Sequence, residues 1–138
     1  MILRANRARI YEGLLRRANV RMDKALYPVL SATAAFGPAR VSEIAAVLGL
    51  NPTTASRHLG SLQRMGLVSR SSSDDDGRAA VMELTESGRK AMGDLRAARK
   101  RLFATLLADF DGAELERFGD YLDRLFEAFD AAASEADA

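Results

Sequence analysis

The chain has no cysteine and only one histidine, His58. The absence of cysteine excludes disulfides, thiolate nucleophiles and thiol-based redox sensing. One histidine cannot build a multi-histidine zinc site, and the sequence has no calcium-loop spacing of carboxylates. It also lacks a Ser-His-Asp spacing and a glycine-rich phosphate loop. These absences predict a protein that is not an enzyme and needs no metal or other cofactor.

Long apolar stretches are also missing, since no run approaches the ~18 residues that suggest a membrane-spanning helix. The 138 residues are 48% hydrophobic and 28% charged, which is typical of a soluble globular domain. The N-terminal segment MILRANRARIYEGLLRR is rich in arginine and amphipathic, which superficially suits a transit peptide, but it lacks the uninterrupted apolar core of a secretory signal. We therefore expect a single cytoplasmic domain with no membrane partner.

Charge is distributed unevenly, although the formal net charge is only +1. Residues 1–24 hold seven basic and two acidic side chains, a net charge of +5. Residues 106–138 hold two basic and ten acidic side chains, a net charge of −8. This asymmetry allows a basic face for nucleic acid while the acidic C-terminal part is kept away from it. Solvated helix faces explain the same charges, and charge alone favours that explanation.

The periodicity of apolar residues predicts four helices, then a β-hairpin, then two long helices. The first helix is expected over residues 3–18 and the second over residues 26–36. Pro28 must lie in the first turn of the second helix, because further in it would break the backbone hydrogen bonds. The start of that helix is open between Asp23 and Tyr27. The segment FGPAR then interrupts the helical pattern.

The segment VSEIAAVLGLNPTTASRHLGSLQRMGLVSR predicts two short helices around a glycine-containing turn. Ser42 is expected to cap the first helix, and Gly49 permits the sharp turn. Asn51 is expected to cap the second helix, with Pro52 at its first position. The residues expected to face the core from the second helix are Ala55, Leu59 and Leu62. This combination indicates a helix-turn-helix.

Beyond Gly66 the segments LVSRS and AAVMELT indicate the two strands of a hairpin. Thr85 is expected to cap a helix that runs to about Leu107. Asp111 and Glu114 have the spacing of a capping box at the start of the last helix.

The last helix carries apolar residues at steps of three and four, which is the pattern of a helix that packs on another helix. Packing inside the same subunit and packing on a second copy both satisfy this pattern. Because the terminal helices extend beyond a compact helix-turn-helix, we expect a homodimer. The residues predicted at the dimer interface are Leu3, Ile10, Leu14, Leu115, Phe118, Leu122, Leu125 and Phe129.

Two segments resemble the winged-helix core of the MarR family of transcription regulators. The first is the helix-turn-helix segment, and the second is DDDGRAAVMELTESG. The second matches the family's wing, with Asp-x-Arg at residues 76–78, a strand, and Leu-Thr-x-x-Gly at residues 84–88. The motifs lie between Val41 and Met92, and the helix layout extends the resemblance over most of the chain. It implies a mainly α fold with a small β-hairpin wing, a winged helix-turn-helix flanked by N- and C-terminal dimerisation helices.

The resemblance also implies an organisation and a function. Within one chain, residues 1–19 and 86–133 would dimerise, residues 26–85 would bind DNA, and residues 134–138 are expected to fray. The implied function is a sequence-specific double-stranded DNA-binding repressor that acts as a homodimer on a pseudo-palindromic operator. In the family, small ligands often bind between the DNA lobe and the dimer helices, so a small-molecule effector is also implied. Candidates for such a pocket are Tyr11, Tyr27, Phe36 and Met92, for each of which core packing is the alternative role.

The helix that begins at Pro52 is expected to lie in a major groove of DNA. The residues predicted to face the bases are Thr53, Thr54, Ser56 and Arg57. A guanidinium can bind guanine in bidentate fashion, whereas hydroxyls discriminate less. The candidate phosphate contacts are Arg40, Arg64 and His58. First-turn positions on a surface helix are the alternative role for the threonines.

In the family that the sequence resembles, the wing arginine enters the minor groove and the aspartate two residues earlier orients it. The resemblance therefore implies that Arg78 enters a narrow minor groove, whose negative potential attracts arginine, and that Asp76 braces it. Gly77 departs from the polar or charged residue that is more usual between them, which favours a looser tip. Arg70, on the incoming strand, is expected to add a phosphate contact.

Two other functions fit the sequence. One is a protein-interaction module that keeps the winged helix for dimerisation and meets its partner through the acidic C-terminal part. The other is an architectural DNA binder without sequence preference. The dependence of DNA affinity on salt tests the first alternative, and the affinity for unrelated duplexes tests the second.

Overall fold

The structure is a computed structural model that describes the backbone of residues 2–72 and 80–136 and the side chains of residues 8–71, 80–129, 131 and 132. Within these ranges the elements are α1 (Ile2–Arg17), α2 (Leu26–Phe36), β1 (Ala39–Arg40), α3 (Val41–Leu48), α4 (Pro52–Arg64), β2 (Val68–Ser72), β3 (Ala80–Leu84), α5 (Glu86–Leu106) and α6 (Gly112–Ala136). The predicted fold class, mainly helical with a small β wing, is confirmed.

Residues 1–100 form one compact unit and residues 101–138 form a second, with α5 crossing the boundary between them. The core of the first unit is built from helices α1 to α5 and the sheet. Its fully buried aliphatic side chains include Leu30, Ile44, Leu59, Leu62 and Leu95. Among the described residues, no helix has the length and apolar character needed to cross a membrane.

The sheet has three antiparallel strands in the order β1-β3-β2. The predicted hairpin is confirmed, with β2 and β3 paired from Val68 opposite Leu84 to Ser72 opposite Ala80. Strand β1 was not predicted, since FGPAR was expected only to interrupt the helices. A strand of two residues has no detectable periodicity, and its pairing of Arg40 with Val81 joins distant parts of the chain.

Helix α3 begins two residues earlier than a Ser42 cap requires. Its N-cap is Arg40, whose backbone N–H donates to Glu43 Oε2 at 2.6 Å. The prediction that Ser42 caps the helix is therefore wrong, because β1 leads directly into the helix and leaves Ser42 inside its first turn. The predicted turn is confirmed: Gly49 follows the helix with a φ of 61°, a left-handed conformation that glycine adopts without steric cost.

The start of α4 matches the prediction. Asn51 Oδ1 accepts a hydrogen bond from the backbone N–H of Thr54 at 3.0 Å, and Pro52 occupies the first turn. Asn51→Ala should lower the free energy of unfolding by about 1 kcal/mol, because that N–H loses its acceptor. Urea denaturation measures the change, and Asn51→Asp, which keeps an acceptor, is the control. An equal loss in both variants would contradict the capping role.

Helix α5 is fixed at its start by Thr85 and Gly88. Thr85 Oγ1 accepts from the backbone N–H of Gly88 at 3.0 Å and donates to the carbonyl of Gly66, which confirms the predicted cap. A Cβ atom placed on Gly88 would lie 1.9 Å from the carbonyl oxygen of Leu67. The Leu-Thr-x-x-Gly motif therefore holds the first turn of α5 against the backbone that enters β2.

Helix α6 begins with the predicted capping box. The backbone N–H of Asp111 donates to Glu114 Oε2 at 2.9 Å, and the N–H of Glu114 donates to Asp111 Oδ1 at 2.8 Å. Apolar side chains further along α6 are exposed to solvent to 36% (Leu115), 49% (Phe118), 49% (Leu125), 59% (Phe126) and 62% (Phe129), and Leu122 is half-buried. The single chain thus leaves the predicted seam largely uncovered.

Candidate nucleic-acid interface

Helix α4 has one buried face and one exposed face. Ala55, Leu59 and Leu62 are at most 1% exposed and fix the helix to the core. The predicted base-facing residues Thr53, Ser56 and Arg57 are exposed, and Thr54 is half-buried. The side chains suited to base contact therefore stand outside the core at the N-terminal half of the helix, where backbone N–H groups also favour anions.

A groove of about 520 Å³ runs between α4, the start of α3 and the sheet. Two exposed arginines, Arg40 and Arg70, line it together with Ser56 of α4. Arg40 pairs with Val81 and Arg70 pairs with Met82, so the two arginines flank β3 from opposite sides. The short strand β1 is what brings Arg40 to the groove that Arg70 also lines. Each guanidinium group is by itself a suitable partner for phosphate.

Gln63 and Ser42 also line this groove, although the sequence did not single them out as binding residues. Gln63 lies seven residues after Ser56, which places both on the same side of α4. The spacing of seven residues from Ser56 could therefore have predicted that Gln63 lies at the same groove. Ser42 was assigned to capping, and only the three-dimensional arrangement places it at the groove.

Two of the predicted phosphate contacts do not line the groove. The guanidinium of Arg64 donates to Ser61 Oγ at 3.0 Å, and Ser61 Oγ donates to the carbonyl of Arg57 at 3.2 Å. Arg64 is therefore hydrogen-bonded within α4. His58 is half-buried and lines a different cavity, next to α1 and α2. The groove therefore collects Arg40, Arg70 and Ser56 but neither of these side chains.

Several predicted residues lie outside the described part of the chain. These are Asp76 and Arg78 of the wing and the side chain of Leu3. On α1, Ile10 is 51% exposed, whereas Leu14 is 3% exposed and packs inside its own chain. A second copy would therefore have little of Leu14 left to cover. Within the residues that the structure describes, no cluster of three His, Asp or Glu side chains is arranged to hold a metal.

Comparison with known proteins agrees with this geometry. A family model described as "MarR family" matches residues 26–79. The chain is 31% identical over 108 residues to the uncharacterized HTH-type transcriptional regulator YxaD of Bacillus subtilis (strain 168). The matched region covers 78% of this chain and 76% of YxaD.

Solved structures share the fold. A MarR family protein from Bacillus stearothermophilus superposes with a TM-score of 0.82 at 21% identity, covering 93% of this chain and 88% of that one. The PcaV transcriptional regulator of Streptomyces coelicolor, solved in complex with its natural ligand, superposes with a TM-score of 0.65 at 23% identity, covering 92% and 90%.

Proposed function

This chain belongs to the MarR family of winged-helix transcription regulators, which bind DNA and are not enzymes, and from that premise we propose that it is a sequence-specific repressor. It acts as a homodimer on a pseudo-palindromic operator and is released by a small ligand. The observation that carries the proposal is the set of exposed residues on α4, Thr53, Ser56 and Arg57, beside a groove lined by Arg40 and Arg70.

The exposed residues of α4 contact the bases, and the arginines of the groove contact the phosphates. Arg57 offers paired donors to a guanine edge, and the hydroxyls of Thr53 and Ser56 add weaker base contacts. Arg40 and Arg70 bind phosphates, which set the position of the helix without reading sequence. The exposed positions of Thr53, Ser56 and Arg57, and the presence of Arg40 and Arg70 in the lining of one groove, support this division.

The dimer rests on the uncovered apolar seam of α6. Side chains such as Phe118, Leu125 and Phe129 are about half exposed or more in the single chain, and burying them against a second copy is favourable. A two-fold dimer presents two copies of α4. Their half-sites are expected about one helical turn, ~34–36 Å, apart on one face of the duplex.

Repression and release follow from the same arrangement. A dimer that occupies two adjacent half-sites blocks other proteins from that DNA. A ligand releases it by binding better to a conformation whose two α4 helices do not match the half-site spacing. The ligand complex of the similar regulator PcaV supports a ligand-responsive mechanism.

Selection of bound duplexes from a random pool tests the proposal. The recovered sequences should contain two inverted half-sites at one fixed spacing, with affinity at least ~10³-fold above that for unrelated duplexes. Recovery without enrichment would indicate an architectural DNA binder. No binding to any duplex at low salt would indicate an interaction module.

Arg40→Ala should weaken binding to all duplexes by a similar factor. It should also reduce the slope of log affinity against log salt by about 0.9 for each phosphate that the variant no longer neutralises, because fewer counterions are released. Fluorescence anisotropy at salt concentrations from about 50 to about 200 mM measures the DNA affinity and its dependence on salt. Arg16→Ala removes an exposed arginine from α1 and is the control. Equal slopes for Arg40→Ala and the wild type would contradict the phosphate contact.

A further inference from the structure

One side of α4 faces the groove that Arg40 and Arg70 line. Ser56, Gly60 and Gln63 all belong to this lining, at steps of four and three residues, which places them in a row along the helix. Gly60 lies in the middle of the row and presents no side chain to the groove. Gln63 lies about 10 Å beyond Ser56 along the helix axis, towards the C-terminal end of α4.

The fold does not require a glycine at position 60. Among the described residues, a Cβ atom placed on Gly60 would meet only the guanidinium of Arg64, at 3.7 Å, which is ordinary van der Waals contact with a flexible side chain. Gly60 also lacks the positive φ that is found at Gly49 and Gly66. Inside a helix, glycine is less stable than alanine because it loses more conformational freedom on folding. The described part of the chain therefore gives no structural reason for this glycine.

A bound molecule supplies a reason for the glycine. Glycine is common where the backbone of a protein and a ligand approach each other closely. The groove beside Gly60 carries the positive charges of Arg40 and Arg70, so an anionic strand suits it. Ser56 belongs both to this groove and to the exposed residues that are proposed to contact bases. The groove therefore continues the surface that is proposed to read DNA.

Gln63 adds a neutral hydrogen-bonding group at the far end of the row. Its side chain is exposed and takes no part in the hydrogen bonds that join Arg64, Ser61 and the carbonyl of Arg57 within α4. A side-chain amide can donate to a phosphate oxygen without carrying a charge. With Ser56 inside a major groove about 12 Å wide, a residue about 10 Å further along the helix lies near the edge of that groove. This position suits a contact with the sugar-phosphate strand rather than with the bases.

We propose that one sugar-phosphate strand of bound DNA runs through this groove, in close contact with the backbone of Gly60 and hydrogen-bonded to the side-chain amide of Gln63. This inference rests on the proposed function and adds two residues that position the DNA without reading its sequence. Both contacts are neutral, unlike those of Arg40 and Arg70. Their removal should therefore lower DNA affinity and leave its dependence on salt unchanged.

Gly60→Ala should change stability and DNA binding in opposite directions. The midpoint of urea denaturation should rise, because alanine favours the helix and meets no close neighbour among the described residues. The affinity for all duplexes should fall by roughly tenfold, because the new methyl group takes space that the strand needs. Gly93→Ala in α5 is the matched control, since it should raise the midpoint and keep the DNA affinity of the wild type. Unchanged DNA affinity in Gly60→Ala, or a lower midpoint, overturns the close contact.

Gln63→Met and Gln63→Lys test the hydrogen bond. Methionine has no donor, so affinity should fall by roughly tenfold for all duplexes, with an unchanged slope of log affinity against log salt. Lysine brings a positive charge to the same place, so the slope should become steeper by about 0.9. Ala97→Lys adds a lysine at an exposed position of α5 and is the control, with the slope of the wild type. Equal slopes for the two lysine variants, or the loss of one base preference in Gln63→Met, overturn the phosphate contact.

The outcome for this strand contact is separate from the outcome for the proposed function. A wild-type protein that binds no duplex at low salt contradicts the proposed function. A wild-type protein that binds DNA, together with Gly60 and Gln63 variants that behave like their controls, contradicts only the strand contact.

Discussion

Gly88→Ala should lower the free energy of unfolding by at least about 3 kcal/mol, the upper part of the range for overpacking. The new Cβ would lie 1.9 Å from the carbonyl oxygen of Leu67, which is far inside van der Waals contact. The atom that the new Cβ meets belongs to the backbone, so no side chain can rotate to relieve the clash. Either α5 or the chain that enters β2 must therefore move. Movement there also disturbs the Thr85 cap, whose hydroxyl bonds both Gly88 and Gly66. Urea denaturation monitored by circular dichroism measures the loss.

Gly93→Ala in the same helix is the matched control. A Cβ atom at Gly93 meets nothing within 4 Å, and the residue is exposed. Alanine should therefore stabilise the protein by about 0.5–1 kcal/mol through helix propensity. Similar effects of the two substitutions would mean that the close approach of α5 to Leu67 does not exist in solution.

Leu122→Asp should dissociate the proposed dimer, raising its dissociation constant by at least ~100-fold. Leu122 lies in the middle of the α6 seam, and a two-fold interface would carry the new carboxylate twice. Burial of an unpaired charge at such a contact is costly. Light scattering coupled to size exclusion measures the mass across a concentration series, and circular dichroism verifies that the helices remain.

Arg124→Asp is the control for this substitution. It also introduces an aspartate into α6, but at an exposed position outside the spacing of the seam. The dimer should persist in this variant. A wild-type chain that is monomeric at all concentrations, or equal dissociation by both variants, would contradict the proposed role of the seam.

Local signals in the sequence were enough to predict most of the helix-turn-helix. Asn51 and Pro52 mark the start of α4, and Gly49 marks the turn before it, because caps and turns depend on a few adjacent residues. The Asp111–Glu114 capping box was predictable for the same reason. The wing strands followed from their residue types and the polar segment between them.

The composition of the candidate sites depends on contacts between distant residues. Strand β1 exists because Ala39 and Arg40 pair with β3, and this pairing places Arg40 at the same groove as Arg70. Tyr11 and His58 line one cavity, but they are far apart in the sequence, so no local pattern predicts that they meet. The resemblance supplied the Leu-Thr-x-x-Gly motif, but the contact of Gly88 with Leu67 gives the physical reason for its glycine.

We propose that α4 reads DNA sequence through its exposed N-terminal residues. Random-pool selection with the wild type and with Arg57→Ala tests it most directly. Both proteins should select the same two inverted half-sites at the same spacing. In the variant, one position in each half-site should lose its base preference, a loss of about 1–3 kcal/mol of discrimination. Identical base preferences at every position in the two selections would contradict it.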